Sequence, residues 1–204
     1  MRLKLYQVGE PVLGQPAREL TSDEIRSPSI QQLIEFMRET MRDARGVGLA
    51  ASQVGESLQL AVIEDREEAI AAVPAEMLVE RQRAPTPFHV IINPRLTITN
   101  STVVAFFEGC LSLPSFHAIV PRALEVRINC LNEKAESVVI NASGWYARIL
   151  QHEIDHLNGR LYVERMEPRS FTTADNYARY WKDLSPNDVL EKIGGVDKRR
   201  YSVR

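Results

Sequence analysis

Two histidines, His152 and His156, stand four residues apart in QHEIDHLNG (151–159), with Glu153 directly after the first. On a helix this spacing puts both imidazoles on one face, within reach of a single metal ion, and sets a carboxylate beside them. The chemistry it permits is metal-assisted hydrolysis, with the carboxylate moving the proton of an activated water. Ile149, Leu150, Ile154 and Leu157 place the motif on a largely buried helix, where two uncompensated imidazoles would be costly.

A catalytic metal site takes three protein ligands and leaves one position open. No histidine follows His156. Glu164 and Glu167 are available downstream, as the third ligand of a zincin-type protease. Cys110 is the stronger candidate: it ends a strand-like run and follows Gly109, which lets the backbone approach closely. Its thiolate would complete a Cys–His–His set. Cys130, in the run LEVRINCL, reads as a small buried hydrophobe. Were it instead a fourth ligand, the site would be closed and structural, in a non-catalytic binding protein. With no CxxC and no secretory signal, thiols are a better reading than a disulfide.

The helix that must hold both histidines runs through SGWYARILQHEIDHLNG, with Ser143 as N-cap and Gly159 just past its end. Ahead of Cys110, residues 89–99 and 102–108 read as two strands, the second running straight into Gly109. SLQLAVIED is a short apolar strand, residues 123–131 and 136–142 form a hairpin across NEKAE, and LYVERM is another short strand. Residues 65–88 make a surface excursion with a helical turn around 74–82. Near the N-terminus, residues 27–46 read as a helix capped by Ser27, with Pro28 in the first turn and Gly46 at its end. Its Ile30, Leu33, Ile34, Met37 and Met41 recur at three- and four-residue spacing. A final helix begins near Thr172 or Ala174 and reaches Lys182, and residues 194–204 form a loosely held polar tail. Strands in runs, with helices before and after, predict an α+β fold. Its mainly antiparallel strands pack around the HExxH-bearing helix, in one domain spanning 1–204.

Three motifs, GVGLAASQ (46–53), EGCLSLP (108–114) and QHEIDHLNG (151–159), resemble the three signature motifs of peptide deformylases, in the family's order and at its approximate spacing. The resemblance runs from about residue 8 to 166. It implies Cys110, His152 and His156 as ligands of one divalent metal, with water or hydroxide in the fourth position. Fe²⁺ is the implied physiological ion, and Zn²⁺, Ni²⁺ or Co²⁺ can take its place. The implied reaction is removal of the N-formyl group from nascent polypeptides that begin with formyl-methionine, releasing formate.

The same resemblance assigns roles. Glu153 is the general acid/base for the attacking water. The side-chain amide of Gln53 and the backbone N–H of Leu111 are the oxyanion donors. Gly46 and Gly48 flank Val47 in a segment that admits the substrate backbone, and Val47 and Gly109 are the candidates for main-chain pairing with it. Val47, Trp145 and Ile149 wall the methionine pocket, with Phe106 and Glu108 at its rim or floor.

Two positions depart from the common bacterial pattern. Arg148 stands where many bacterial members carry an apolar pocket residue, and GWYARILQHE resembles a subgroup of mitochondrial and plastid enzymes with certain bacterial relatives. Its head is expected to snorkel out or to pair with an acid such as Glu108. His117 replaces an arginine of many relatives and reads as an entrance or structural residue. Asp155 is expected to orient a ligand or pair with Arg122, Gln151 to support a ligand, and His89 to be structural.

Composition is that of an ordinary globular chain, 44% hydrophobic and 25% charged. A net charge of −2 and a pI near 6.1 argue against direct sequence-specific nucleic-acid binding. No run has the length of a membrane span, and MRLKLYQVGEPVLGQP lacks the pattern of a signal peptide. A cytoplasmic home is the default, or an organelle if a transit peptide has been removed. Lys198, Arg199, Arg200 and Arg204 make the tail basic, a feature that can dock near the ribosomal exit tunnel, although a solvated tail is the plainer reading.

Overall fold

The computed structural model describes residues 2–71 and 73–194, so the basic residues from Lys198 onward lie outside the described residues. The helix expected from residue 27 forms as α2 (Pro28–Asp43), after the single-turn α1 (Ser22–Arg26). Ser27 Oγ accepts from Ile30 N at 3.4 Å, and Pro28 sits in the first turn, where a backbone N–H has no helical acceptor. The helix ends one residue earlier than the glycine signal implied. Arg45, not Gly46, takes the left-handed conformation (φ 56°), and Gly46 N closes the turn on Met41 O at 2.9 Å.

Among the described residues, six strands form one antiparallel sheet system. β1 (Gly48–Ala50), β2 (Leu60–Asp65), β3 (Thr86–Cys110), β4 (Leu113–Leu131) and β5 (Ser137–Ser143) lie side by side in that order, and β6 (Thr172–Thr173) pairs with β4. β2 is buried on both faces, which explains its unbroken apolar sequence. Leu60 and Val62 face α2, with Ile34, Met37 and Met41, whereas Ala61 and Ile63 face the opposite cluster. That second cluster contains Ala147, Leu150 and Ile154 of α5 (Gly144–Leu157), the helix that carries His152, Glu153 and His156. α5 packs against β1 through β5.

The two strands expected at 89–99 and 102–108 are one. The polar Asn100-Ser101 step, which resembles a turn, is a register shift within β3 that leaves the ladder to β4 intact on either side. The excursion after β2 contains α3 (Glu67–Ile70) and α4 (Ala75–Arg81). Ser143 stands at the N-cap of α5 but makes no capping bond, and Gly159 follows the helix at φ +69°.

The C-terminal third departs from expectation three times. LYVERM is not a strand: Tyr162–Glu164 form a 3-10 turn, because Glu164 Oε1 captures Leu161 N at 2.8 Å. The final helix is broken into β6, a short α6 (Ala174–Asn176) and a π-helical turn at Tyr177–Trp181. A further α7 (Pro186–Lys192), capped by Ser185, was not foreseen. Among the described residues no helix is long and apolar enough to cross a membrane.

Candidate active site

Cys110 is aimed by a bulge. Glu108 pairs with Ala118, but the next pair is Cys110 with Leu113, so the ladder slips at Gly109 and the strand turns. This brings Cys110 Sγ to 3.2 Å from His156 Nε2, and the ligand atoms of Cys110, His152 and His156 all lie within 4.8 Å of one another. Neither Glu164, Glu167 nor Cys130 belongs to this group, the only such convergence among the described residues. Both cysteines are free thiols.

The donors suit a divalent ion. Burial alone would raise the Cys110 thiol, but the charge of His156 and hydrogen bonds from both imidazoles outweigh it and hold the thiol well below its ordinary range. His152 Nδ1 is bound to Glu108 Oε2 at 2.9 Å, which leaves Nε2 as the free donor. A thiolate and two imidazoles, that of His152 oriented by Glu108, form a tight, asymmetric set that zinc and iron both accept.

Glu108 anchors a buried charge network. Its carboxylate accepts from Arg122 Nε (2.6 Å) and Nη2 (2.9 Å) and from Arg148 Nη1 (2.6 Å) as well as from His152. Burial pushes its pKa up, but the Arg122 charge and these hydrogen bonds take it well below the usual range. Arg122 also donates to Asp155 Oδ2 at 2.7 Å, and Arg165 closes the chain on both Asp155 oxygens at 2.8 Å. Arg148 does not snorkel. Its guanidinium turns inward to Glu108 and to the carbonyls of Val120 (2.8 Å) and Val104 (2.6 Å), and burial pulls its pKa down to about 10. Gln151 bonds the backbone of Ala123 and Ala147 and touches no ligand. His89 Nε2 pairs with Tyr146 Oη at 2.9 Å, away from the cluster.

A cleft of about 700 Å³ opens onto the cluster. Val47, Gly48, Gln53, Glu108, Gly109, Leu111, Trp145, Ile149 and Glu153 all line it, with Cys110 and His152. His156 is fully buried beneath. Phe106 does not line the cleft. It lies behind the wall, with its ring centroid 6.2 Å from that of Trp145, and Phe107 lines the cleft instead. The Val47 carbonyl is engaged by Glu64 N at 3.1 Å, whereas β1 is an edge strand and Gly48 lines the cleft. Gln53 is held by its Oε1, which accepts from Ala50 N at 2.9 Å, while Nε2 reaches Ser112 Oγ (3.2 Å) and Cys110 Sγ (3.5 Å).

Glu153 is buried on the cleft floor, and its Oε2 has no hydrogen-bond partner among the described residues. Burial raises its pKa, against the lowering pull of His152 and His156. Sequence reasoning passed over Phe107, Phe116 and Arg45, all on the cleft, and Arg165 in the charge network. Only a strand alternation counted through the Gly109 bulge would have signalled the first of these.

An antiparallel α+β fold that gathers a thiol, two imidazoles and a buried carboxylate on one cleft defines a protein with a cluster that could hold a metal ion beside a buried carboxylate. The chain belongs to the polypeptide deformylase family, whose model matches residues 2–171. It is 45% identical over 172 residues to the chloroplastic peptide deformylase 1A of Solanum lycopersicum, covering 84% of this chain and 62% of that one. Against the mitochondrial peptide deformylase of Homo sapiens the identity is 40%, covering 88% and 72%. The Met-Ala-Ser-bound crystal structure of the class I type b peptide deformylase from Acinetobacter baumannii superposes with a TM-score of 0.72 at 32% identity, covering 81% of this chain and 99% of that one. The chain thus spans less than two thirds of the length of its tomato relative.

Proposed function

We propose that this chain removes the N-formyl group from peptides beginning with formyl-methionine and releases formate, acting as one catalytic domain arranged around α5. The observation that carries the reading is the convergence of Cys110, His152 and His156 beside the buried carboxylate of Glu153 on one cleft. A relative held in complex with Met-Ala-Ser supports the substrate class. Cys110, His152 and His156 would hold one divalent ion, Fe²⁺ by resemblance to the family, with Zn²⁺, Ni²⁺ or Co²⁺ as substitutes. When bound, that ion supplies Lewis acidity, polarising the formyl carbonyl and making water nucleophilic near neutral pH.

The protein's own groups do the rest. Glu153 takes the proton that the attacking water loses and delivers it to the departing amine nitrogen. Its burial and its unpartnered oxygen suit that task. Gln53 Nε2 and the N–H of Leu111 are the donors for the developing oxyanion, one fixed through Ala50, the other by its place next to Cys110. The peptide backbone lies between edge strand β1 and Gly109, paired through main-chain groups that ignore side-chain identity. The methionine side chain enters between Val47, Trp145 and Ile149, while Glu108, also on the cleft, is held by Arg122 and Arg148.

Metal-loaded protein prepared without oxygen is expected to release formate from formyl-Met-Ala-Ser and to leave unformylated peptides intact. Cleavage within an unformylated peptide, with no formate, would overturn the proposal in favour of a zincin-type protease. The chains it serves emerge from ribosomes, in bacterial-type cytoplasm or in an organelle. Docking through the basic tail predicts that deleting residues 194–204 abolishes co-sedimentation with ribosomes.

A further inference from the structure

The family match ends at residue 171, and the next segment returns to the cleft. β6 pairs with β4 at the cleft wall, Thr173 opposite Phe116 and Thr172 opposite His117. Tyr177 then lies against two cleft-lining rings at once. Its centroid is 4.9 Å from Phe107, edge-on, and 5.0 Å from His117, nearly parallel. Phe171 stacks on Phe116 at 5.0 Å and 5°. Tyr177 does not itself line the cleft.

We infer that this segment is a substrate-positioning element: through Tyr177 it holds Phe107 and His117 as an aromatic wall that grips the peptide beyond its first residue. The inference rests on the proposed deformylase reading. A Cβ on Gly109 would lie 3.3 Å from the His117 ring, so His117 flanks the backbone next to Cys110. Phe171 is 40% exposed, which puts the Phe116–Phe171 stack at the open rim, where the rest of a peptide must leave. Ring faces favour apolar and aromatic side chains without selecting one sequence. The segment therefore favours formylated peptides with apolar residues after methionine over a single formylated residue.

The test compares formyl-Met-Leu-Phe amide with formyl-Met amide, using metal-loaded full-length protein. Tyr177→Ala is expected to raise KM for the tripeptide about two- to tenfold, the worth of a lost aromatic pair, with kcat little changed. The parameters for formyl-Met amide should stay as in the unsubstituted protein. Tyr177→Phe, which keeps the ring, should retain the original KM, and Tyr177→Leu, which fills much of the space without a ring, should behave like alanine. A tripeptide KM unmoved in Tyr177→Leu, or a KM raised equally for both substrates, would overturn the wall. Absence of formate from either peptide with the unsubstituted protein would instead overturn the functional reading beneath it.

Discussion

A side chain at position 48 would occupy the space of the Glu153 carboxylate: an ideal Cβ on Gly48 falls 2.3 Å from Glu153 Oε1. The glycine of the first motif and the glutamate of the third are thus one steric unit, joining edge strand β1 to α5. Gly48→Ala is expected to displace the carboxylate, lowering kcat sharply while metal content stays at the level of the unsubstituted protein. Overpacking of this kind typically costs about 1–3 kcal/mol of stability, readable as a lowered urea midpoint. An unchanged kcat would show that Glu153 can be moved without consequence.

Glu153→Gln keeps the shape and removes the proposed proton carrier. Turnover should fall by about 10²–10⁴ with metal content unchanged, since general acid–base catalysis contributes that much. Steady-state formate release alongside elemental analysis checks it. Retained turnover would strip Glu153 of its role.

Gln53→Ala removes the proposed oxyanion donor, and kcat is expected to drop by about 10²–10³. Because Gln53 Oε1 also holds Ala50 N, a parallel thermal scan separates loss of the donor from local loosening. A drop in stability with kcat preserved would reassign Gln53 to structure alone.

Glu108→Gln leaves Arg148 buried without a carboxylate and Arg122 with Asp155 alone, and loosens the imidazole of His152. Breaking a buried ion pair from one side typically costs about 3–5 kcal/mol, and loss of a ligand's supporting partner about 10–100-fold in metal affinity. Chelator competition and urea unfolding read the two effects. Full metal affinity in the variant would mean that His152 is oriented by packing alone.

The two thiols should separate by pH. In metal-stripped protein the Cys110 pKa is lowered, so it should react with iodoacetamide at a lower pH than Cys130 does. Burial pushes the Cys130 thiol up to about 11, and it should stay unmodified until far into the alkaline range. Mass spectrometry of the labelled peptides, with and without added Zn²⁺, checks both points, and the metal should protect Cys110. Zinc protection of Cys130 would revive a closed four-ligand site.

The sequence carried the chemistry better than the frame around it. The i, i+4 spacing on α5 and the apolar residues around it located His152, Glu153 and His156 on a buried helix, and the stripe of α2 from Ile30 to Met41 was equally readable. What escaped depended on contacts distant in sequence. Asn100-Ser101 resembles a turn, yet β3 runs through it because β4 supplies the partner on both sides. LYVERM has strand propensity, but Glu164 captures the backbone locally and the segment coils instead. Arg148 was open between snorkelling and pairing, and only the fold brings it to Glu108 and two strand carbonyls. Phe107 was passed over for Phe106 because the route of the wall is set by the bulge at Gly109 and by Tyr177, which lies 70 residues further on.

The most direct test of the central claim is the rate of formate release from formyl-Met-Ala-Ser as metal is titrated into stripped, anaerobic protein. The rate is expected to rise linearly, to saturate at one divalent ion per chain, and to vanish in Cys110→Ala at the same total metal. Formate release independent of metal, or undiminished in Cys110→Ala, would contradict it.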